Sequence, residues 1–350
     1  MSSNHFALIM AGGQGTRFWP WSTAAKPKQF LPVIGKRPLI TQTYRRLRRF
    51  VPARNIFISA DKKYLPAVCE CIPRFSRRNF IAEPAPRNTA PALIQANIVL
   101  SRIDPGAHLL VVPADHHIAE ENTFARQLQA ALRHAENRCL ITAGIKPTEP
   151  HTGYGYIHFT EGKNRGPFFP VRQFREKPDG KTAAAFLKKG NFYWNSGMFV
   201  YKMAFFRGFL NAYAPYYGRQ YARLERAYGR PGEFARIYRS ITPESIDYAL
   251  MEKIREAVMF KARFHWNDVG SWSAVYEMND KDSGGNVRRG NTITIDTRNS
   301  LVFSNEKKPL ALIGMEGVAV IHTASGILIA PFDRLQQVKR AIVLLEKNRR

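Results

Sequence analysis

The stretch from Phe6 to Ser22, FALIMAGGQGTRFWPWS, constrains this chain more than any other part of it. A continuous apolar run, Phe6–Met10, reads as a buried strand. It feeds directly into a loop holding Gly12, Gly13 and Gly15, which ends in Thr16 and Arg17 and is followed by Lys28. Glycines carry no Cβ, so their backbone N–H groups can approach an anion closely. Arg17 and Lys28 add fixed positive charge, and together these residues point to phosphate binding. The loop lacks the Gly-Lys-Ser/Thr ending of a P-loop and the third glycine of a dinucleotide fingerprint. On the glycines alone, a turn between strand and helix with no ligand remains open.

The chain can support a large core. It has 350 residues, 45% of them hydrophobic, enough for one large domain and a small one. No apolar run is long enough to span a bilayer, and the N-terminus has neither a basic region nor a signal-length apolar segment. Cys69, Cys71 and Cys139 form no disulfide framework and no zinc spacing, which fits reduced thiols in a cytoplasmic protein. The 53 Lys and Arg exceed the 27 Asp and Glu, giving +26. The basic residues are scattered (Arg45–Arg49, Arg74–Arg78, Arg219–Arg239, Lys347–Arg350) and accompany no nucleic-acid motif. Solvated helix faces account for them, and a field that draws in polyanionic substrates is the functional alternative.

Alternation of short apolar runs with helical patterns organises the first two-thirds. Strands are expected at Phe6–Met10, Asn55–Ser59, Phe80–Ala82, Leu109–Pro113 and Leu140–Gly144, with helices at Leu39–Phe50, Thr89–Ile103 and Phe124–Glu136. Asn88 or Thr89 can cap the helix that runs into Pro91, since proline is tolerated in a first turn. This pattern predicts an α/β fold with a mixed, mostly parallel sheet, whose ligands sit beyond the carboxyl ends of the strands. After Asn279 the texture changes. The polar segment Asp280–Asn286 precedes recurring apolar pairs: Ile293/Ile295, Leu301/Phe303, Leu310/Leu312, Val318/Val320 and Ile327/Ile329. Such spacing suggests a β-helix, with a small antiparallel sandwich as the alternative. Asp333 is placed to cap a last helix carrying Leu335, Val338, Ile342 and Leu345 on one face. Two domains follow, residues 1–280 and 286–350.

Several further motifs could carry chemistry. VVPADHH (Val111–His117) puts Asp115 at a strand end, where a carboxylate can hold Mg²⁺ or cap a turn. His116 and His117, being adjacent, point apart and are given no metal role. HWNDVGSW (His265–Trp272) supplies a second carboxylate, Asp268, and two carboxylates from distant segments suit metal-assisted nucleotidyl transfer. EPAPRNTAPA (Glu83–Ala92) places Arg87, Asn88 and Thr89 at a helix start, which can contact an anion or a base, or be no more than a capped helix. Gly155 in TGYGYI, Glu176 and Lys177 in FREKPD, and Asn195 in WNSGMF bring carboxylate, amide and ammonium groups that can bind hydroxyls or a phosphate, although each segment alone is an unremarkable loop. Asp247 and Glu252 in SIDYALMEK read as helix-start and solvent residues.

Gly-Gly-x-Gly-Thr-Arg followed by Pro-Lys resembles the signature of the sugar-nucleotide pyrophosphorylases, and the flanks Phe18-Trp19-Pro20 and Gln29-Phe30 resemble the mannose-1-phosphate guanylyltransferase branch. The matching motifs run in order from Ala11 to Trp272. Asn267 stands where the family usually has serine, and Arg175 where it usually has valine. The resemblance implies a Rossmann-like nucleotidyltransferase domain and a left-handed β-helix used for subunit contact, hence a possible homodimer through the C-terminal domain. It implies GTP and mannose 1-phosphate as substrates, with GDP-mannose and pyrophosphate as products. It implies Arg17 and Lys28 as catalytic residues, and Ala11, Gly12, Gly13, Gly15, Thr16, Glu83, Arg87, Asn88 and Thr89 around the nucleotide. Gly155, Glu176, Lys177 and Asn195 would hold the sugar phosphate, and Asp115 and Asp268 would hold Mg²⁺. Membrane and nucleic acid are not expected partners. Longer members of this branch add an isomerase domain downstream, an activity not expected for a chain ending at Arg350. The alternatives are another sugar-1-phosphate nucleotidyltransferase, or a basic nucleotide- or nucleic-acid-binding protein without catalysis.

Overall fold

The computed structural model describes residues 5–13, 15–161 and 166–348. Arg349 and Arg350 of the basic tail lie outside the described residues, as does the side chain of Thr16. The chain separates into two compact units that do not follow the 1–280 and 286–350 division along the sequence. One contains residues 1–12, 44–114 and 118–266; the other contains 13–43, 115–117 and 267–350. The chain therefore changes unit inside the glycine loop, at Asp115 and just before Asn267.

The first unit is built on a sheet of nine strands among the described residues. These are β1 (His5–Met10), β2 (Ile56–Asp61), β3 (Phe80–Glu83), β4 (His108–Pro113), β5 (Leu140–Ile145), β6 (Tyr156–Phe159), β7 (Phe168–Arg175), β8 (Phe192–Lys202) and β9 (Ala257–Lys261). Their order is β3-β2-β1-β4-β8-β5-β9-β7-β6, with a further β8–β6 pairing. Four of the strands legible in the sequence form a parallel half: β1 pairs with β2 and β4, and β2 with β3, all parallel, while the fifth, β5, lies beyond β8 and is parallel to β9. In β1, Ala7, Leu8 and Ile9 are fully buried, as a strand covered on both faces requires. The longer β8 enters antiparallel between β4 and β5, and β7 and β6 continue antiparallel.

Helices α1 (Leu39–Leu47), α2 (Leu65–Cys71), α3 (Thr89–Ser101) and α4 (Glu121–His134) alternate with the early strands. Helices α1, α3 and α4 match the expected helices to within a few residues at the ends, whereas α2 was not expected. Helix α3 is apolar almost all round and is buried along nearly its whole length. The Asn88 side chain caps it, accepting from Thr89 N at 2.8 Å. Helices α5 (Gly180–Lys189), α6 (Met203–Tyr213), α7 (Pro215–Arg226) and α8 (Pro231–Ser240) complete this unit. One core runs through it, joining Leu8, Leu93, Leu109, Phe199, Phe206, Tyr238 and Met259.

The second unit contains the short helix α9 (Trp272–Glu277) and, among the described residues, the strands β10 (Val287–Arg289), β11 (Thr292–Ile295), β12 (Leu301–Ser304), β13 (Leu310–Ile313), β14 (Val318–Thr323) and β15 (Gly326–Pro331). Thr292 pairs with Leu310, Arg298 with Glu316 and Leu301 with Ala319, all parallel and all 18 residues apart. A constant offset on three successive sides is the signature of a β-helix coil, so the antiparallel sandwich is excluded; only β15 turns back antiparallel on β14. The apolar pairs do not all face inward. Leu301, Phe303, Val318 and Val320 are buried, whereas Ile293, Ile295, Ile327 and Ile329 are exposed.

The final helix, α10 (Val338–Asn348), follows a 3-10 segment over Phe332–Gln337. Asp333 does not cap it, contrary to expectation. The residue before the 3-10 segment is Pro331, no side chain caps it, and Asp333 pairs with Arg334 at 3.3 Å. Leu335 and Val338 are buried, but Leu345 is exposed.

Candidate active site

Within the second unit, Gly15, Arg17, Phe18, Lys28, Asp115, His116, Asp268, Gly270 and Lys339 line one cavity of about 250 Å³. Residues far apart in sequence converge here. Arg17 lies in a 3-10 turn, Thr16–Phe18, directly after the glycines, and Lys28 starts another, Lys28–Phe30. Gly15 has φ +60°, and a Cβ there would come within 2.5 Å of Lys28 Cβ and 2.8 Å of Lys28 N. Only glycine lets these two stretches lie this close. Gly13 meets nothing that a Cβ would touch, and Gly12 and Gly13 are exposed.

Lys28 is buried and donates all three of its protons to protein acceptors: Asp115 Oδ2 at 2.7 Å, Asp268 O at 2.7 Å and Val269 O at 2.9 Å. It thereby ties the turn at Asp268 to the segment carrying Asp115. Burial raises the pKa of Asp115, but Lys28 and His116 outweigh it and hold the carboxyl below the ordinary range. Asp115 is therefore a carboxylate at neutral pH.

Asp115 and Asp268 supply hard oxygen donors on the wall of a cavity that also carries cations. That set suits Mg²⁺, which is commonly held by one or two carboxylates together with substrate phosphates. The turn is shaped around the second carboxylate: a Cβ on Gly270 would lie 2.8 and 3.0 Å from its two oxygens. No group of three or more His, Cys, Asp or Glu that could hold a metal ion occurs among the described residues, so an ion here would have to draw its remaining ligands from substrate or water.

The flanks of the glycine loop hold this cavity in shape. Phe18 packs on Trp272 with ring centroids 5.2 Å apart, Trp21 stacks on Trp272 at 6.2 Å, and Trp21 meets Phe303 of β12 at 4.3 Å. Trp272 Nε1 donates to Trp19 O, and Thr323 Oγ1 donates to Pro20 O. Gln29 is buried and donates to Gly13 O at 2.9 Å, which fixes the loop from the other side. Trp19-Pro20 and Gln29-Phe30 are thus packing elements, beside a hydrophobic core that joins Phe18 to Val269, Leu301, Ile321 and Val338.

The first unit holds the other expected residues in two groups. In one, Ala11 N donates to Ser59 O, so that amide belongs to the sheet edge. Glu83, at the end of β3, is buried and accepts from Ser59 Oγ at 2.9 Å and Tyr238 Oη at 3.5 Å. Burial dominates and pushes its pKa up to about 7. Arg87 is half-buried, and its Nε is enclosed with no hydrogen-bond partner among the described residues. A buried guanidinium donor left unmatched by protein is a natural contact for an anion or a base edge. Asn88 has φ 66°, a strained value for a side-chain-bearing residue. The Thr89 hydroxyl accepts from Ile246 N at 2.8 Å.

In the other group, Asn195 is buried on β8 with both ends of its amide engaged. Its Oδ1 accepts from Thr142 Oγ1 at 3.0 Å, and its Nδ2 donates to Asp247 Oδ1 at 3.0 Å. Its backbone N donates to Gly155 O at 2.7 Å. Glu176 pairs with Lys177 Nζ at 2.9 Å, and Glu176 N donates to Glu252 Oε1 at 2.9 Å. Burial lowers the Lys177 pKa, but its bond to Glu176 and the charges of Glu176 and Asp247 raise it further, so it stays an ammonium. Part of Asp247 reaches solvent while its carboxyl is enclosed. Burial first, and then the Glu176 charge, push that carboxyl up to about 7.

Asp247 and Glu252 belong to this cluster, contrary to the reading of them as helix-start and solvent residues. Asp247 opens a π-helical turn, Asp247–Met251, and its first-turn position resembles an ordinary helix start in sequence. The signal that could have found it is the unusual turn type, which a hydrophobic pattern does not encode. Aromatic rings also line this region. Tyr154 stacks on His151 at 3.9 Å and meets Trp194 edge-on at 5.0 Å.

The nucleotidyl transferase family model matches residues 6–216, and the MannoseP isomerase/GMP-like beta-helix domain model matches residues 290–345. A mannose-1-phosphate guanylyltransferase of Escherichia coli is 35% identical over 370 residues, covering 100% of this chain and 77% of that protein. The xanthan biosynthesis protein XanB of Xanthomonas campestris pv. campestris (strain B100) is 35% identical, covering 97% of this chain and 73% of its own length. Among solved structures, a Thermus thermophilus protein described as a mannose-1-phosphate geranyltransferase superposes with a TM-score of 0.88. It is 30% identical and covers 98% of this chain and 99% of its own. The chain belongs to the nucleotidyl transferase family, in the branch that contains the bacterial mannose-1-phosphate guanylyltransferases.

Proposed function

We propose that this chain joins GTP and mannose 1-phosphate into GDP-mannose and pyrophosphate. The observation that carries the reading is the cavity in which Arg17, Lys28, Asp115 and Asp268 converge behind the glycine loop. A phosphate oxygen of the sugar substrate forms the new bond to the α-phosphorus. The bond from that phosphorus to the bridging oxygen breaks, and its electron pair leaves with pyrophosphate. The attacking phosphate is already ionised, so the reaction needs no protein nucleophile. Catalysis is positioning and charge neutralisation.

Arg17, exposed at the cavity, neutralises the departing pyrophosphate, and the exposed Gly13 presents backbone beside it with no Cβ in the way. Lys28 acts mainly through its bonds to the Asp115 carboxylate and to the backbone carbonyls of Asp268 and Val269, which fix that carboxylate and the Asp268 turn in place. Asp115 and Asp268 are the residues that would hold Mg²⁺. Bound there, the ion would neutralise triphosphate charge that would otherwise repel the attacking anion.

Arg87, Asn88 and Thr89 with Glu83 form the nucleoside side, the unmatched Nε of Arg87 supporting a ligand contact. Lys177 binds the sugar phosphate, while Glu176 and Asn195 accept and donate to hydroxyls. Asp247 orients the Asn195 amide and is a positioning residue. The exposed Ile293, Ile295 and Ile313 support a homodimer through the β-helix, which light scattering of an Ile313→Glu variant would test. The three free thiols fit a cytoplasmic setting.

Pyrophosphate release measured with Mg²⁺ across a panel of nucleoside triphosphates and sugar 1-phosphates tests the whole reading. Preference for GTP with mannose 1-phosphate is expected. Preference for another pair moves the assignment within the family, and release with no pair overturns it.

A further inference from the structure

We propose that Lys339, from the C-terminal helix α10, is a pyrophosphate-binding residue of the triphosphate cavity. This deepens the nucleotidyl transfer reading, on which it rests. Lys339 lines the cavity together with Arg17, Lys28, Asp115 and Asp268, although 322 positions separate Arg17 from Lys339 along the chain.

Its place is fixed by packing. Val338, the preceding residue, is buried, as is Leu335 one turn before, and Ile342 packs against the same core. That core includes Phe18, the neighbour of Arg17, so α10 is anchored to the turn that carries the first arginine of the site. A helix fastened through Val338 has little freedom to carry Lys339 elsewhere.

The charge of the cavity makes the same case. Lys28 is held by three protein acceptors. Arg17 and Lys339, both exposed, add two further cationic side chains to the wall that a polyphosphate entering the cavity meets. The neighbouring Arg340 is also exposed but does not line the cavity. It provides an internal control of equal charge.

The test uses the full chain and inorganic pyrophosphate, measured by calorimetry, with GTP and mannose 1-phosphate kinetics alongside. Lys339→Ala is expected to weaken pyrophosphate about tenfold, the lower range for a charged hydrogen bond at an exposed site. KM for GTP should rise similarly, with KM for mannose 1-phosphate unchanged. Lys339→Arg should stay within about threefold of the native chain, and Arg340→Ala should bind as the native chain does. The deficit of Lys339→Ala should shrink as salt rises.

Unchanged pyrophosphate affinity in Lys339→Ala overturns the proposal. So does an equal loss in Arg340→Ala, which would mark a diffuse field rather than a contact. A lowered melting temperature shared by the Ala and Arg variants, with equal loss of binding, overturns it in favour of a structural role. If the native chain turns over no substrate pair, the nucleotidyl transfer reading fails, and the pyrophosphate titration still decides whether Lys339 binds.

Discussion

The cavity at Arg17 and the cluster at Asn195 handle charge in contrasting ways. In the cavity the buried cation, Lys28, is locked to protein, and other cationic side chains remain at the surface. In the cluster the buried groups are carboxyls and an amide, Asp247, Glu176 and Asn195, with Lys177 over them. The first arrangement suits a ligand of several negative charges. The second suits hydroxyls that both donate and accept, plus one phosphate. The contrast extends to protonation. Lys28 keeps Asp115 ionised, whereas burial and the Glu176 charge push the Asp247 carboxyl up to about 7. Chain segments of similar acidity thus acquire opposite behaviour from their neighbours.

The sharpest way to break this comparison is Arg17→Ala. Loss of one electrostatic stabiliser should lower kcat by two to three orders of magnitude, about 3–4 kcal/mol, with the melting temperature unchanged. Near-normal turnover would remove Arg17 from the mechanism. Lys28→Met should instead act on stability, costing about 3 kcal/mol in denaturant titration, because it strands the Asp115 carboxylate and two carbonyls. A variant that folds normally but binds nucleotide poorly would show that Lys28 serves the ligand directly.

In the cluster, Asp247→Ala should raise KM for mannose 1-phosphate about tenfold with KM for GTP unchanged, since the Asn195 amide loses its orienting partner. Equal changes for both substrates would make the effect structural.

A further effect, on stability alone, concerns pH. Glu83 has a folded-state pKa raised to about 7 from an ordinary 4.5, so the folded chain holds that proton more tightly than the unfolded one. The stability it contributes is fully present below about pH 4.5 and is lost as pH rises through 7. Stability should therefore fall between about pH 5 and 8, by on the order of 2 kcal/mol from this group, and Glu83→Gln should flatten the slope in urea titrations.

Much of the cavity was legible from local chemistry. The apolar run before Gly12, the Arg17 and Lys28 cations, and Asp115 at a strand end each follow from residue type and position. Strands β1–β5 were readable because strands buried on both faces are continuous apolar runs, whereas β9, parallel to β5, was not. The antiparallel strands β6–β8 were not, because mixed sequences such as Phe168–Arg175 and Phe192–Lys202 alternate too weakly to separate strand from loop. Regular spacing revealed the β-helix, but spacing carries no sense of inside and outside, and Ile293 and Ile329 face solvent.

The sequence by itself determined the chemical kinds present: a glycine loop, cations after it, carboxylates at strand ends and a coiled C-terminal region. Those depend on residue type and near neighbours, which the chain states directly. Only the tertiary structure decided their partners. It gave Lys28 to Asp115 and the Asp268 turn, set Asp247 against Asn195, turned the Trp19–Trp21 flank into packing for Trp272, and brought Lys339 into the cavity with Arg17. Hydrophobic burial selects these long-range contacts collectively, and no local pattern records which distant side chain a buried group will meet.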